Sequence, residues 1–250
     1  MSEVPEAARS RPGVLRRAAA GAWHVPAGFF FLLKRPRLLA LAALPIALVS
    51  ALLVAGLVAG LFAVPVVDEL VVQQQRSQDL LARLFTAALF LGLPFAGMLA
   101  GFALALVLTA PILEKLSERV EAIVRGVPQP AGRGLAADVR DALRGAFYFA
   151  SRAPGVFLIS LVPIVGAPLG ALWAAHALAF QLTEGPLVRQ GLDFMRRRLW
   201  HARFRAESLG FGLLGFATLF VPLANLLVAP ALVVGATRLV LELRETEARG

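Results

Sequence analysis

The sequence predicts an all-α integral membrane protein with two long transmembrane helices and two half-penetrating (re-entrant) helical hairpins, accompanied by amphipathic cytoplasmic helices. Three observations predict this fold class: four long apolar runs, a proline-containing break within each of the last two runs, and arginine-rich segments beside them. Only 16% of the 250 residues are charged, whereas charged residues make up about a quarter of an ordinary soluble domain. A bilayer is therefore the environment that this composition favours.

The first two apolar runs are each long enough to cross a membrane. Leu38–Val67 and Leu84–Leu113 contain no charged side chain, and a transmembrane helix needs about 20 apolar residues. The prolines inside these runs are compatible with spanning, because neighbouring helices can satisfy the freed backbone groups. The sequence therefore predicts two full spans.

The third and fourth runs, Ala153–Thr183 and Ser208–Thr237, are interrupted near their middles, and we interpret Pro163 and Pro222 as helix-break turns. Each half holds roughly 15 residues or fewer, which is shorter than a full span. Each run is thus either one kinked span or a helical hairpin that enters and leaves on the same side.

The distribution of basic residues favours the hairpins. The connector Asp68–Arg83 is nearly balanced in charge, whereas the N-terminal tail, Glu114–Arg152 and Glu184–Glu207 are rich in arginine. The positive-inside rule places these three segments in the cytoplasm. All three arginine-rich segments lie on the cytoplasmic side of the membrane only if the third and fourth runs are hairpins. The same arrangement leaves both termini in the cytoplasm. Four kinked spans are the alternative.

Two segments between the runs have the pattern of amphipathic helices. The second run continues into Glu114–Gly126, where Leu116, Val120 and Ile123 keep a helical spacing and Glu121 and Arg125 form an i,i+4 pair on the polar side. The segment Glu184–Glu207 reads as a basic amphipathic helix lying on anionic lipid. Membrane lipids are therefore an expected partner.

Several function classes are disfavoured. The chain has no cysteine, its three histidines lack metal-ligand spacing, and the motif Gly210–Gly215 has no preceding strand, as a nucleotide fingerprint requires. No P-loop, HExxH or GxSxG motif is present. The basic residues that give the chain its net charge of +9 lie in segments beside the apolar runs. This arrangement is typical of membrane proteins and disfavours nucleic acid as a partner. We expect no enzyme activity, no cofactor and no metal. Glycine pairs such as Gly56 and Gly60 predict close helix packing and are compatible with a homo-oligomer.

An anion path is plausible on physical grounds. A helix break at membrane depth points the N-terminus of the second half-helix toward the bilayer interior, where its N–H groups attract anions. Gly166 and Asn225 stand at these two N-termini and are candidate anion-binding residues. The opposing interpretation is that these residues only form and satisfy tight turns.

The stretch from Phe220 to Thr237 resembles the C-terminal signature of the CysZ/EI24 family. Supporting similarities lie in Gly28, Pro36 and Pro45 before the first span, in Ala110-Pro111 with Glu118, Glu121 and Gly126, and in Gln181, Glu184 and Pro186. The resemblance divides the chain into a loose or interfacial tail at 1–27, one CysZ/EI24-like membrane domain at 28–242 and a polar tail at 243–250.

The resemblance implies a bacterial inner-membrane protein that forms oligomers and takes part in sulfate uptake. In sulfate-linked members an arginine pair follows the first helix-entry proline, whereas Leu39 and Ala40 stand there in this chain. Lys34, Arg35 and Arg37 lie nearby and are the candidate replacements for that anion site. Glu118, Glu121 and Arg125 form a candidate ion-pair network. Its carboxylates either make solvated or interprotomer salt bridges or order a neighbouring basic cluster such as Arg35 and Arg37.

The function expected from the sequence is an ATP-independent permease or channel for sulfate or a similar small oxyanion, supporting sulfur assimilation. The alternative is a non-transporting EI24-like membrane scaffold or lipid-interacting protein. The sequence alone leaves open the identity of the anion and whether the protein transports at all.

Overall fold

The computed structural model describes residues 13–72, 80–126, 135–162, 164–220 and 222–249, with only the backbone described at residues 68, 70–72, 80–83, 85, 135, 136, 138 and 222–227. Every regular element in these ranges is an α-helix, and there are nine. In chain order they are α1 (Val14–Leu33), α2 (Pro36–Val72), α3 (Leu80–Arg125), α4 (Leu135–Ala150), α5 (Ala153–Ser160), α6 (Gly166–Arg189), α7 (Phe194–Arg203), α8 (Arg205–Thr218) and α9 (Pro222–Arg249).

The chain divides into two compact units. The long-helix unit is Pro36–Leu116 and contains α2 and most of α3. The bundle unit combines Met1–Arg35 with Ser117–Gly250, and it contains α1, the last turns of α3 and the remaining helices. The predicted all-helical class is confirmed for the described residues.

In the long-helix unit α2 and α3 pack antiparallel through backbone contacts at glycine. A Cβ on Gly56 would lie 2.2 Å from the Gly97 carbonyl oxygen, one on Gly60 2.5 Å from that of Leu93, and one on Gly101 2.2 Å from that of Leu52. No side chain fits at such distances, so the absence of a Cβ lets the two backbones touch. The predicted role of these glycines in close packing is confirmed.

The same two helices expose their apolar side chains. Phe62, Leu91 and Val107 are each at least 70% exposed. Among the described residues, the stretches Pro36–Val67 and Thr86–Arg125 are long and apolar enough to cross a membrane. An apolar surface of this extent is sustained by hydrocarbon rather than by water, in agreement with the two spans predicted from the sequence.

The bundle unit is built around α1, which packs against α8 and α9, while α6 packs against the same two helices. Its apolar core is formed by side chains from all four helices: Val25, Ala179, Phe211, Leu232, Ala236 and Leu239. Glycine again brings the helix axes together. A Cβ on Gly210 would lie 1.9 Å from the Ala18 oxygen, and one on Gly28 would lie 2.3 Å from the Ala231 oxygen.

The third apolar run folds back on itself between α5 and α6. The Ser160 hydroxyl oxygen at the end of α5 lies 3.2 Å from where a Cβ on Gly170 would stand, so the chain reverses within ten positions. At the turn Ile164 has a φ of 70° and is 92% exposed. Pro163, the predicted turn residue, lies outside the described residues. Pro222 begins α9, where the fourth run breaks.

Three segments differ from the sequence-based predictions. The boundary placed at residue 27 falls inside α1, one face of which is buried against the bundle. The segment 184–207 is not one basic helix, because Gly191 takes a φ of 78° and separates α6 from α7. At the end of α3, Ile123 and Val124 are exposed while Glu121 is buried, so the predicted apolar face is rotated.

Candidate functional site

The first candidate site is a basic cluster at the end of α1, formed by Lys34, Arg35 and Arg238. The guanidinium carbon of Arg35 lies 3.7 Å from the centre of the Phe31 ring, and that of Arg238 lies 5.1 Å from the same centre. Arg35 and Arg238 are half-buried and Lys34 is exposed. In the described part of the chain neither arginine has an ion-pair partner.

The packing of α9 on α1 brings Arg238 to this position. Gly28 and Gly235 allow the two helices to touch, since a Cβ on Gly235 would lie 2.4 Å from the His24 oxygen. Arg238 donates from Nη1 to the Ala27 carbonyl oxygen at 3.2 Å, which fixes its side chain beside Phe31. The arginine is therefore held by the backbone of α1 while its charge is left without a carboxylate.

The sequence analysis did not identify Arg238. It is the first charged residue after the fourth apolar run, as Lys34 and Arg35 are among the last before the first run. Their shared position beside the boundary of an apolar run was the sequence signal that could have identified Arg238. Their common neighbour Phe31 could not be inferred, because more than 200 positions separate the two arginines in the chain.

Three further residues were predicted to bind an anion. Arg37 lies in the first turn of α2 with its side chain exposed. Gly166 is buried at the start of α6, and its amide already donates to the Val162 carbonyl oxygen at 2.9 Å. That amide is thus occupied rather than open to an anion. Asn225 lies in α9, and its side chain falls outside the described residues.

A buried ion pair lies within the same unit. Arg189 at the end of α6 binds the Glu121 carboxylate through Nη2 at 2.6 Å and through Nε at 3.1 Å. Arg189 also donates to the Ser117 hydroxyl at 2.5 Å, and Ser117 hydrogen-bonds Thr237 at 2.8 Å. The network joins α3, α6 and α9, and Thr237 precedes Arg238 in sequence.

Glu121 is therefore not on a solvated face: its carboxylate bonds directly to Arg189, and the charge of Arg125, the predicted i,i+4 partner, acts on it as well. Three side chains in the last turns of α3 are buried in the bundle unit, and the carboxylate meets Arg189 there: Ser117, Val120 and Glu121 are each 2% exposed or less. Glu118 is exposed and Arg125 is half-buried. A buried charge needs a close partner, and Arg189 provides it.

A second buried charge lies in α7, within the segment that the sequence predicted to be a basic amphipathic helix on anionic lipid. Arg197 is only 1% exposed, and its Nη1 donates to Glu184 of α6 at 2.5 Å. Arg196 and Met195 beside it are exposed. The arginine run 196–198 thus contributes one residue to the interior and leaves its two neighbours nearer the surface.

His201 of α7 is buried against Thr183 and has an altered pKa. The Thr183 hydroxyl donates to the Ala179 carbonyl oxygen at 2.8 Å, so it accepts from His201 Nε2 at 3.0 Å. Burial, reinforced by His176 and Arg197, lowers the pKa of His201 to about 3. It is a neutral structural histidine at physiological pH. In the described part of the chain no group of acidic or histidine side chains could hold a metal ion.

These features define a class: an all-helical membrane protein with two apolar helices long enough to span, and with a cluster of basic side chains at the end of α1 that have no carboxylate partner among the described residues. A model of the EI24 family, described as "Sulfate transporter CysZ/Etoposide-induced protein 2.4", matches residues 25–230. The match covers most of the chain, and the protein belongs to this family.

Curated relatives carry the name sulfate transporter CysZ. The protein from Pseudomonas fluorescens strain Pf-5 is 36% identical over 144 residues, which are 54% of this chain and 58% of the relative. The protein from Vibrio cholerae is 30% identical over 162 residues, covering 61% of this chain and 58% of the relative. The chain thus spans somewhat more than half the length of the curated relatives it matches.

Proposed function

We propose that this protein is an ATP-independent permease or channel for sulfate or a similar small oxyanion, and that it supports sulfur assimilation. The observation that carries the proposal is the pair of guanidinium groups, Arg35 and Arg238, that meet at Phe31 and have no carboxylate partner in the part of the chain that the structure describes. The names of the curated relatives support sulfate as the first anion to test.

A pair of unpaired arginines suits a tetrahedral oxyanion. Each guanidinium presents N–H donors in a planar fork that matches two oxygens of one anion. Stacking on Phe31 restricts the side-chain conformations of Arg35 and Arg238 before an anion binds. Binding therefore costs these side chains little additional conformational entropy. The site remains partly exposed, which suits a conducting protein because the anion must also leave.

Lys34 and Arg37 act differently in this proposal. Both side chains are exposed, and exposed charges raise the local concentration of anions without binding them tightly. Gly166 is left out of the path because its amide N–H is already bonded to Val162. Glu121, with Arg189, is assigned a structural role that fixes α9 and therefore Arg238.

The proposed topology has two full spans, two re-entrant hairpins and both termini in the cytoplasm, within the bacterial inner membrane. Helix α5 has 8 residues, a length of about 12 Å, which is far short of the hydrocarbon core. Its side chains and the following turn are apolar and largely exposed, including Phe157, Leu161 and Ile164. An apolar tip on a short helix pair supports partial insertion. Cysteine-accessibility labelling at position 164 tests it, since a deeply inserted tip excludes aqueous reagents.

Sulfate flux tests the proposed activity. We would measure radiolabelled sulfate uptake by proteoliposomes that contain either the native protein or the double variant R35Q/R238Q. The matched control is R16Q/R196Q, which removes two exposed arginines of α1 and α7. We expect saturable uptake for the native protein and the control, and at least a tenfold loss for R35Q/R238Q, about 1.4 kcal/mol.

Each other outcome has a definite meaning. Equal flux in R35Q/R238Q and the control would contradict the assignment of the site while leaving transport intact. No flux above protein-free liposomes, from native protein shown to be folded and inserted, would contradict transport of sulfate. Chemical cross-linking in the membrane tests the proposed homo-oligomer, which fails if only single chains are recovered.

A further inference from the structure

A second pair of neighbouring arginines lies elsewhere in the bundle unit, around Tyr148 of α4. The guanidinium carbon of Arg152 lies 3.8 Å from the centre of the Tyr148 ring, and that of Arg198 lies 4.7 Å from it. Arg152 donates to the Tyr148 carbonyl oxygen at 3.0 Å. Within the described residues neither arginine is paired with a carboxylate.

This pair stands where two apolar cavities adjoin. A groove of about 1170 Å³ runs along α4 and is walled by Val139, Leu143 and Phe147. A cavity of about 670 Å³ lies between the α5–α6 hairpin and helices α7 and α8. Tyr148 and Arg198 line both spaces. The two largely apolar spaces thus meet at the arginine pair, and Arg140 and Arg144 add further positive charge along the groove.

The wall of the groove is an unpartnered helix face. Val139, Leu143 and Phe147 recur every four positions, so they lie in one row along α4, and they are 51%, 66% and 75% exposed. The opposite side of α4 is anchored, since Asp141 is buried and accepts from the Phe194 amide at 3.1 Å. The exposed apolar row is therefore held in place.

We propose that this surface binds one anionic phospholipid, with its phosphate between Arg152 and Arg198 and its acyl chains in the two apolar spaces. The charge selects an anionic headgroup, because two guanidinium groups without carboxylates favour phosphate. The apolar walls select a ligand with hydrocarbon chains, which free phosphate or sulfate lacks. The site is independent of the Arg35–Arg238 cluster and of whether the protein transports sulfate.

Phospholipid binding to the detergent-solubilised full chain tests the proposal. The probes are phosphatidylglycerol, phosphatidylcholine and inorganic phosphate, with bound lipid counted by native mass spectrometry. The variant is R152Q/R198Q, and the charge-matched control is R16Q/R196Q. Since each arginine near an anionic surface contributes about 1 kcal/mol, we expect an approximately 30-fold loss of phosphatidylglycerol affinity in the variant. The control should bind like the native chain.

A second variant separates the lipid from a small anion. Phe147→Gln alters an exposed side chain of the groove and leaves both arginines in place. It should weaken phosphatidylglycerol binding severalfold and leave any weak binding of inorganic phosphate unchanged. Unfolding temperatures of both variants equal to that of the native protein would establish that the variants are folded.

Three outcomes would overturn the proposal. One is an equal loss of lipid in R152Q/R198Q and the control, which would indicate only a general effect of charge. Another is displacement of phosphatidylglycerol by millimolar inorganic phosphate with no effect of Phe147→Gln, which would indicate a small-anion site. The last is a native protein that carries no bound lipid together with an R152Q/R198Q variant that changes its number of subunits. That result would make this face a contact between copies of the chain.

Discussion

The helices of the long-helix unit and those of the bundle unit are held together by different interactions. In the described part of the long-helix unit Thr109 is the one buried polar side chain, and it bonds within its own helix to the Ala105 oxygen. The bundle unit buries Glu121, Arg189 and Arg197, each bonded to another helix. Backbone contacts at glycine occur in both units.

We attribute this difference to the surroundings that the proposed topology gives each unit. Helices surrounded by hydrocarbon gain nothing by hiding apolar side chains from each other, so close backbone packing is what associates them. Helices that border water gain from apolar burial, and a buried ion pair specifies which helices meet. The predictions below test this contrast, in order of decreasing effect.

Breaking the buried ion pair should have the largest effect. Glu121→Gln leaves the charge of Arg189 buried without its carboxylate, and removing one partner of a buried pair costs about 3–5 kcal/mol. Thermal unfolding monitored by tryptophan fluorescence measures the loss. The control is Glu118→Gln, one turn earlier on α3 and exposed, which should change stability by less than about 0.5 kcal/mol. Equal unfolding temperatures for the two variants would show that the pair contributes no specific stability.

Filling a glycine contact should disrupt the long-helix unit next most strongly. A Cβ on Gly97 would lie 2.1 Å from the Gly56 oxygen, so Gly97→Ala forces α2 and α3 apart at a cost of about 1–3 kcal/mol. Gly92 on the same helix has nothing within 4 Å of its Cβ position. Gly92→Ala should therefore stabilise the unit by up to about 1 kcal/mol through helix propensity. Opposite signs are the expected result, and destabilisation by both variants would contradict it.

The sequence predicted the long-helix unit better than the bundle unit, for a physical reason. Uninterrupted apolar length and glycine spacing are local properties, so the two spans and the close packing at Gly56 and Gly60 could be read directly. The partner of Glu121 is not a local property. Arg125 has the correct i,i+4 spacing, but the rotation of α3 into the bundle places the carboxylate beside Arg189 instead. Arg238 was missed for the same reason.

The buried histidine of the bundle should make that unit sensitive to acid. Because burial lowers the pKa of His201 to about 3, the unfolded chain binds a proton that the folded chain excludes, and stability falls as pH drops below the ordinary histidine pKa of about 6.5. Between roughly pH 7.5 and pH 5.5 the loss should be about 1 kcal/mol. Unfolding temperatures across this range should slope less steeply for His201→Gln than for the native chain. An unchanged slope would assign the acid sensitivity to other groups.

The smallest effect should come from the ion pair that supplements a glycine contact between α1 and α8. Arg17 binds Glu207 at 2.7 Å with the arginine partly exposed, so Arg17→Gln should cost about 1 kcal/mol or less. In the same interface Gly210 has a Cβ position only 1.9 Å from the Ala18 oxygen, and Gly210→Ala should cost more, about 1–3 kcal/mol. Unfolding temperatures of the two variants, with Arg16→Gln as the exposed control, rank the two contributions. A larger loss from Arg17→Gln than from Gly210→Ala would mean that charge, rather than backbone contact, holds α1 in the bundle.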